Sequence, residues 1–284
     1  MKKIFWILFL SITSSLANAF TIYTFVPFRY HIDQNGKKVD GYAKAEQALL
    51  ATGTKPIKVL YEKYFLTDGK PDIEKMKKVV ADTKLNPEIP VSFDIEIGND
   101  RKPETVLPVV LESLRLYHRL GGAAEVGVYS LLPVSTEGEL YTGKRLEGYQ
   151  KLNQKYEPIA ELVDFISPVI YNYNIRNINI WKSIADVNMK ESHKYAKKYN
   201  LKIYPYITAS YYLSKKNPIT RMRLVELLSD KEMKDRLDYL KSKSADGVIL
   251  WESSNTVEND GEQPVVDLRK GWAKGVINFN LYNK

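Results

Sequence analysis

The sequence predicts an α/β fold in which parallel strands alternate with helices and close into a TIM-like (β/α) barrel of seven or eight strands. Short β-rich runs alternate with long amphipathic ones along the chain. The alternation repeats about every 30–40 residues, the length of a parallel βαβ unit. No Pro/Ser-rich linker or charge break interrupts it, so residues 20–284 read as a single domain. The alternative, an open doubly wound sheet, calls for a Gly-rich phosphate turn after an early strand, and the sequence has none.

Ahead of the first unit, residues 1–19 (MKKIFWILFLSITSSLANA) have the three parts of a secretory signal peptide. Lys2 and Lys3 give a positive start, Ile4 to Leu10 an apolar run, and Ala17-Asn18-Ala19 a cleavage site. They predict export, periplasmic or extracellular. No stable membrane insertion is expected after removal, because the apolar run is too short to span a bilayer. The chain has no cysteine, so neither disulfides nor a lipid-anchored N-terminus is available, and stability rests on an ordinary core. The formal charge of +8, from 42 basic and 34 acidic residues, falls to about +6 without Lys2 and Lys3. No basic block or arginine stripe accompanies it. That argues against nucleic acid and is compatible with an anionic polymer or an envelope surface as partner.

The strands are expected in order at FTIYTF (20–25), IKVLYEKYF (57–65), PVSFDIEIG (90–98) and EVGVYSLLPV (125–134), then DFISPVIYNYN (164–174), LKIYPYITASYY (201–212) and DGVILWE (246–252). Between them, Val106, Val110, Leu114 and Tyr117 recur at helical spacing over 103–120, and Gly121-Gly122 stops that helix. Further helices are expected near 73–84, 145–162, 179–199, 221–243 and 264–274. Lysines such as Lys75, Lys77, Lys78, Lys197 and Lys198 fall on these segments and read as solvated faces.

Alternation along 92–97 puts Ser92, Asp94 and Glu96 on one side and Phe93, Ile95 and Ile97 on the other. The apolar set must face the helices, so the carboxylates face the barrel interior near the strand's C-terminal end, where active sites of this architecture sit. The same reading turns Tyr129, then Tyr171 with Tyr173, then Tyr204 with Tyr206, and finally Trp251 toward the same space. The expected sugar or ligand contacts are Tyr129, Tyr173, Tyr206 and Trp251, to which Tyr211 of the same aromatic run is added, with Tyr171 beside the acids. Two close carboxylates cannot both ionise cheaply, so one is driven to a raised pKa and can act as a general acid. Glycoside hydrolysis needs such an acid, and aromatic walls suit the apolar faces of sugar rings. The nucleophile is open at this level. It can be Asp94, or Glu252 if a bulge turns it inward, or an N-acetyl carbonyl of the substrate.

Several segments together resemble the hyaluronidase family of glycoside hydrolases, family 56: FDIE, VGVYSLLPV, SPVIYNYN, IYPYITASYY and GVILWESSN, in that order over roughly residues 88 to 258. The resemblance implies a distorted barrel, with Glu96 as general acid/base and Asp94 holding the proton and positioning an acetamido group. It also implies that Tyr171 orients that group and that Trp251 walls its pocket. The implied reaction is endo-type cleavage beside an N-acetylhexosamine, with net retention through an oxazolinium intermediate. Two features depart from the family pattern. FDIE runs into IGNDRKP where a tryptophan- and arginine-containing stretch is usual, and Glu252 stands where a smaller residue is usual. With them the catalytic core can be kept while the substrate differs, and an envelope or capsular glycan with N-acetylhexosamine is as reasonable a substrate as hyaluronan. His31, His118 and His193 show no metal spacing, NTVENDGEQP (255–264) lacks a calcium-loop pattern, and no nucleophile elbow or phosphate loop is present. No cofactor is expected.

Overall fold

The computed structural model describes residues 20–282; the signal peptide expected at 1–19 lies outside them. Seven parallel strands form a closed ring: β1 (Thr21–Phe25), β2 (Lys55–Pro56 and Lys58–Tyr61), β3 (Val91–Asp94), β4 (Val126–Val128), β5 (Phe165–Ile166), β6 (Lys202–Ile203 and Tyr206–Ile207) and β7 (Gly247–Trp251). β2 serves two neighbours, pairing with β1 through Tyr23↔Lys55 and with β3 through Lys58↔Val91. β3 pairs with β4, a single bridge at Tyr129↔Ser167 carries the ring to β5, and β5 pairs with β6 through Phe165↔Lys202, Ile166↔Ile203 and a bridge at Val169↔Tyr206. Tyr206↔Ile249 and Thr21↔Gly247 close it. The barrel is therefore present with seven strands, and the thin pairing around β5 makes it irregular.

Helices cover the outside: α1 (Tyr42–Leu50), α2 (Ile73–Leu85), α3 (Leu107–Arg119), α4 (Gly143–Tyr156), α5 (Ile178–Tyr199), α6 (Asp230–Ser242) and α7 (Gly271–Tyr282). Local chemistry sets their ends. Asp72 accepts the Lys75 N–H at 3.0 Å to start α2, and Ser229 with Glu232 forms a reciprocal capping box on α6. Gly121, at φ +79°, ends α3 as its sequence position suggests. No helix among the described residues is long and apolar enough to cross a membrane.

Two apolar clusters follow from strand alternation. The larger lies between strands and helices and includes Phe93, Val126, Val128 and Leu250. The smaller fills the barrel and includes Tyr23, Phe165, Val169, Tyr204, Tyr206 and Ile249. Gly127 makes room there, since a Cβ would lie 2.2 Å from the Phe165 ring.

Three expected elements differ. The run 201–212 is not one strand, because Pro205 interrupts β6 and Ser210–Lys216 leaves the barrel as one arm of a hairpin. Its other arm, Arg223–Leu227, lies in the stretch expected to be the start of a helix. Leu224, Leu227 and Leu228 mimic helical spacing, but Val225 is buried in the barrel cluster and alternation prevails. The helix expected at 264–274 begins at Gly271 instead, after Val265–Val266 pairs with Tyr30–Ile32. α1 was not expected from the sequence; its buried stripe is only Ala45 and Leu49.

Candidate active site

Asp94 is the last residue of β3, in register with Tyr61 of β2. Its side chain points into the barrel and is 8% exposed, and Oδ1 has no hydrogen-bond partner. Burial pushes its carboxyl up to about 7, and the nearby charges of Glu96 and Glu62 push in the same direction. Of the two acids expected to share a proton, Asp94 is thus the one that burial holds protonated near neutrality.

Glu96 is exposed and lies beyond the end of the strand, so alternation alone does not place it. A tied loop does. Its backbone N–H donates to Glu62 Oε1 at 2.7 Å, and the Asn99 N–H donates to Thr105 Oγ1 at 2.9 Å. Gly98, at φ +79°, lets the loop pass Thr105, whose carbonyl oxygen would be 2.7 Å from a Cβ at that position.

Glu96 and Tyr129 stand where two lobes of one cleft meet, at the C-terminal ends of the strands. The aromatic lobe, about 340 Å³, is walled by Tyr171, Tyr173, Tyr212 and Trp251 and rimmed by Lys216, Arg221 and Arg223. The second lobe, about 360 Å³, runs along Ile95–Asp100 to Ser130, Leu131 and Glu137. Tyr171 and Trp251 stack with ring centroids 5.5 Å apart and planes 16° from parallel. The Trp251 indole N–H donates to the Tyr61 hydroxyl at 3.4 Å. Tyr129 meets Tyr171 at 6.3 Å, and Tyr173 meets it at 6.0 Å. Burial raises the Tyr129 hydroxyl pKa well above the usual tyrosine range, with Asp94 and Glu96 adding, so Tyr129 faces the acids as a neutral donor.

The structure therefore brings Glu96, Tyr129, Tyr171, Tyr173 and Trp251 together at the cleft, while Asp94, within electrostatic reach of Glu96, is buried at the end of β3 and lines neither lobe. Two expected contacts are corrected. Tyr206 is fully buried under the cleft, edge-on to Tyr129 at 5.0 Å, and supports the floor rather than lining either lobe. Tyr211 faces away from the barrel: its hydroxyl donates to Glu232 Oε1 at 2.8 Å and accepts from Arg236 Nη2 at 3.0 Å. Alternation carries Tyr212, its neighbour, to the cleft instead. Glu62 and the basic rim were also missed. Glu62 sits in a short 3₁₀ turn after β2, and the rim comes from the hairpin read as helix; only the hairpin's period-two pattern offered a signal.

Glu252 opens to neither lobe. It is 0% exposed, its Oε1 accepts from Ser210 Oγ at 2.8 Å, and burial pushes its carboxyl up to about 7. A carboxyl sealed in this way has no path to an anomeric carbon, which argues against pairing it with Glu96 as a nucleophile. A larger cleft of about 690 Å³, between the start of α6 and Val265–Trp272, contains none of the expected residues. Among the described residues, no group of three or more His, Asp or Glu side chains could hold a metal ion.

No protein-family model matches the chain, and no curated protein matches it by sequence. Solved structures do. Bee venom hyaluronidase is similar over 93% of this chain and 96% of its own, with a TM-score of 0.56 and 16% identity. The endo-β-1,4-mannanase of Thermotoga petrophila is similar over 93% of this chain and 70% of its own, with a TM-score of 0.55 and 14% identity. At such identities the likeness is one of fold: the chain shares the (β/α)-barrel architecture of these two proteins.

Proposed function

We propose that this protein is an exported glycoside hydrolase that cleaves a polysaccharide containing N-acetylhexosamine by substrate-assisted, retaining catalysis. The observation that carries the reading is the meeting of Asp94 and Glu96, one buried and one exposed, beside a wall of stacked aromatic rings. The exposed acid can reach a glycosidic oxygen, and the buried one can hold a proton next to it. The barrel is one that a hyaluronidase and an endo-mannanase also use.

In this reading the acetamido group lies in the aromatic lobe against Tyr171 and Trp251. Its carbonyl oxygen attacks the anomeric carbon as Glu96 donates a proton to the departing oxygen, giving an oxazolinium and a free sugar end. Asp94 accepts a hydrogen bond from the acetamido N–H, which orients the group and offsets its growing positive charge. Water then adds to the anomeric carbon while Glu96 takes its proton, which restores the N-acetyl group and retains the configuration. The joined lobes on either side of Glu96 suit cleavage within a chain. Lys216, Arg221 and Arg223 on the rim suit an anionic glycan, whose binding would weaken with added salt.

The test uses Glu96→Gln and a set of oligosaccharides that includes hyaluronan, chondroitin, chitin and peptidoglycan fragments, in N-acetylated and de-N-acetylated forms. The variant should lose hydrolysis and keep sugar binding, and only the acetylated forms should be cleaved. Equal cleavage of both forms by the wild-type protein would sink the substrate-assisted mechanism. Unchanged turnover in Glu96→Gln would sink the site.

A further inference from the structure

Glu252 takes no part in the reaction above, yet it lies directly behind the aromatic lobe. It follows Trp251 at the end of β7, and its N–H continues the ladder by donating to the Phe25 carbonyl at 3.1 Å. Ser210 Oγ donates to Oε1 at 2.8 Å, and the backbone N–H groups of Ala209, Ser210 and Ser253 favour the ionised carboxylate against its burial. Oε2 has no partner. Tyr212 stands on the same strand as Ser210 and, two residues on, shares its face.

The Tyr212 hydroxyl is also buried without a partner. Its ring lines the aromatic lobe, meets Tyr171 at 6.2 Å and lies under the Arg223 guanidinium at 4.8 Å. After burial, the charge of Glu252 does most to keep this hydroxyl protonated; Arg223 opposes it, and Tyr129 and Tyr173 add to it. Buried polar groups rarely stay unpaired. An ionised carboxylate can only accept a hydrogen bond, and a phenol has one to give. Neither atom has a partner, and the Glu252 charge acts on the Tyr212 hydroxyl, so the two unpaired groups lie within electrostatic reach of each other.

We propose that Glu252 is a positioning residue: when its carboxyl ionises, Oε2 accepts a hydrogen bond from the Tyr212 hydroxyl, and that bond seats the Tyr212 ring in the wall of the sugar lobe. The pairing itself depends only on the two side chains; its consequence for substrate rests on the sugar-binding reading of the lobe. Because the carboxyl ionises near neutrality, the wall is set above about pH 7 and loosened below it. Seating the ring and ionising the carboxyl favour each other, so sugar affinity rises with pH.

The experiment follows the Glu252 carboxyl by carbon-13 NMR in protein labelled at glutamate, the signal being assigned by its absence in Glu252→Gln, or in Glu252→Asp should the first variant not fold. Removing the phenol in Tyr212→Phe should move the titration midpoint up by about one pH unit, a tenfold change in proton affinity. An unmoved midpoint overturns the pairing. In parallel, binding of tetra-N-acetylchitotetraose to Glu96→Gln should tighten about tenfold between about pH 6 and 8, and this dependence should flatten when Tyr212→Phe is added. A moved midpoint with unflattened binding overturns the positioning role. A moved midpoint with no binding at either pH supports the pairing and tells instead against the N-acetylhexosamine reading.

Discussion

Replacing Asp94 with Asn should make the protein more stable at alkaline pH while abolishing hydrolysis. The folded protein holds the Asp94 carboxyl at about 7, against 3.8 for a free side chain. The folded state therefore binds this proton more tightly than the unfolded state. Its contribution to stability is complete below the unfolded value and is lost as pH rises through about 7. A rise of that size corresponds to roughly 4 kcal/mol, an upper limit on what the ionised wild-type residue costs at about pH 8.5. Asparagine cannot ionise and avoids that cost, although its amide must be accommodated in a space where Oδ1 already lacks a partner. If about half the limit survives, the melting temperature should rise by roughly 4–8 °C at pH 8.5. At about pH 4, where the wild-type group is neutral, the gain should vanish. Calorimetric melts of both proteins at the two pH values measure this directly. A variant no more stable than wild type at alkaline pH, or equally stabilised at both, would refute the assignment of the buried proton to Asp94.

Gly98→Ala should cut turnover on the order of a hundredfold with little loss of fold, because its Cβ would press on the Thr105 carbonyl and shift the loop presenting Glu96. Steady-state rates beside thermal melts separate the two effects. Tyr211→Phe should lower stability by about 1–3 kcal/mol, since Glu232 and Arg236 each lose a partner. It should leave the Michaelis constant unchanged, and denaturant titration with kinetics checks that Tyr211 lies outside the cleft.

Much of the barrel was legible because its signals are local. The hydrophobic runs that became β1, β3 and β7 and the helical spacing of α3 depend on neighbours along one segment. Asp94 stood out for the same reason, as a carboxylate inside an otherwise buried strand. Legibility failed where the deciding partner is remote in sequence. The stretch 221–243 carries apolar residues at helical intervals, and only pairing with Ser210–Lys216 makes Arg223–Leu227 a strand. Tyr211 and Tyr212 are chemically alike; the course of the hairpin past β6 sends one to α6 and the other to the cleft.

The sequence by itself pointed to a barrel and to Asp94 with several aromatic residues at the C-terminal ends of its strands, since strand period and strand order suffice for that. Tertiary structure alone decided how those residues divide the work. Asp94 and Glu96 have the same charged group, and their difference comes from burial: one is sealed in the barrel, the other held out on a loop tied to Glu62. Glu252 is sealed by Ser210 in the same way. Desolvation and charge act through space, so the side chains that tune an acid come from whichever strands the closed ring makes adjacent, and no periodicity along a single segment records them.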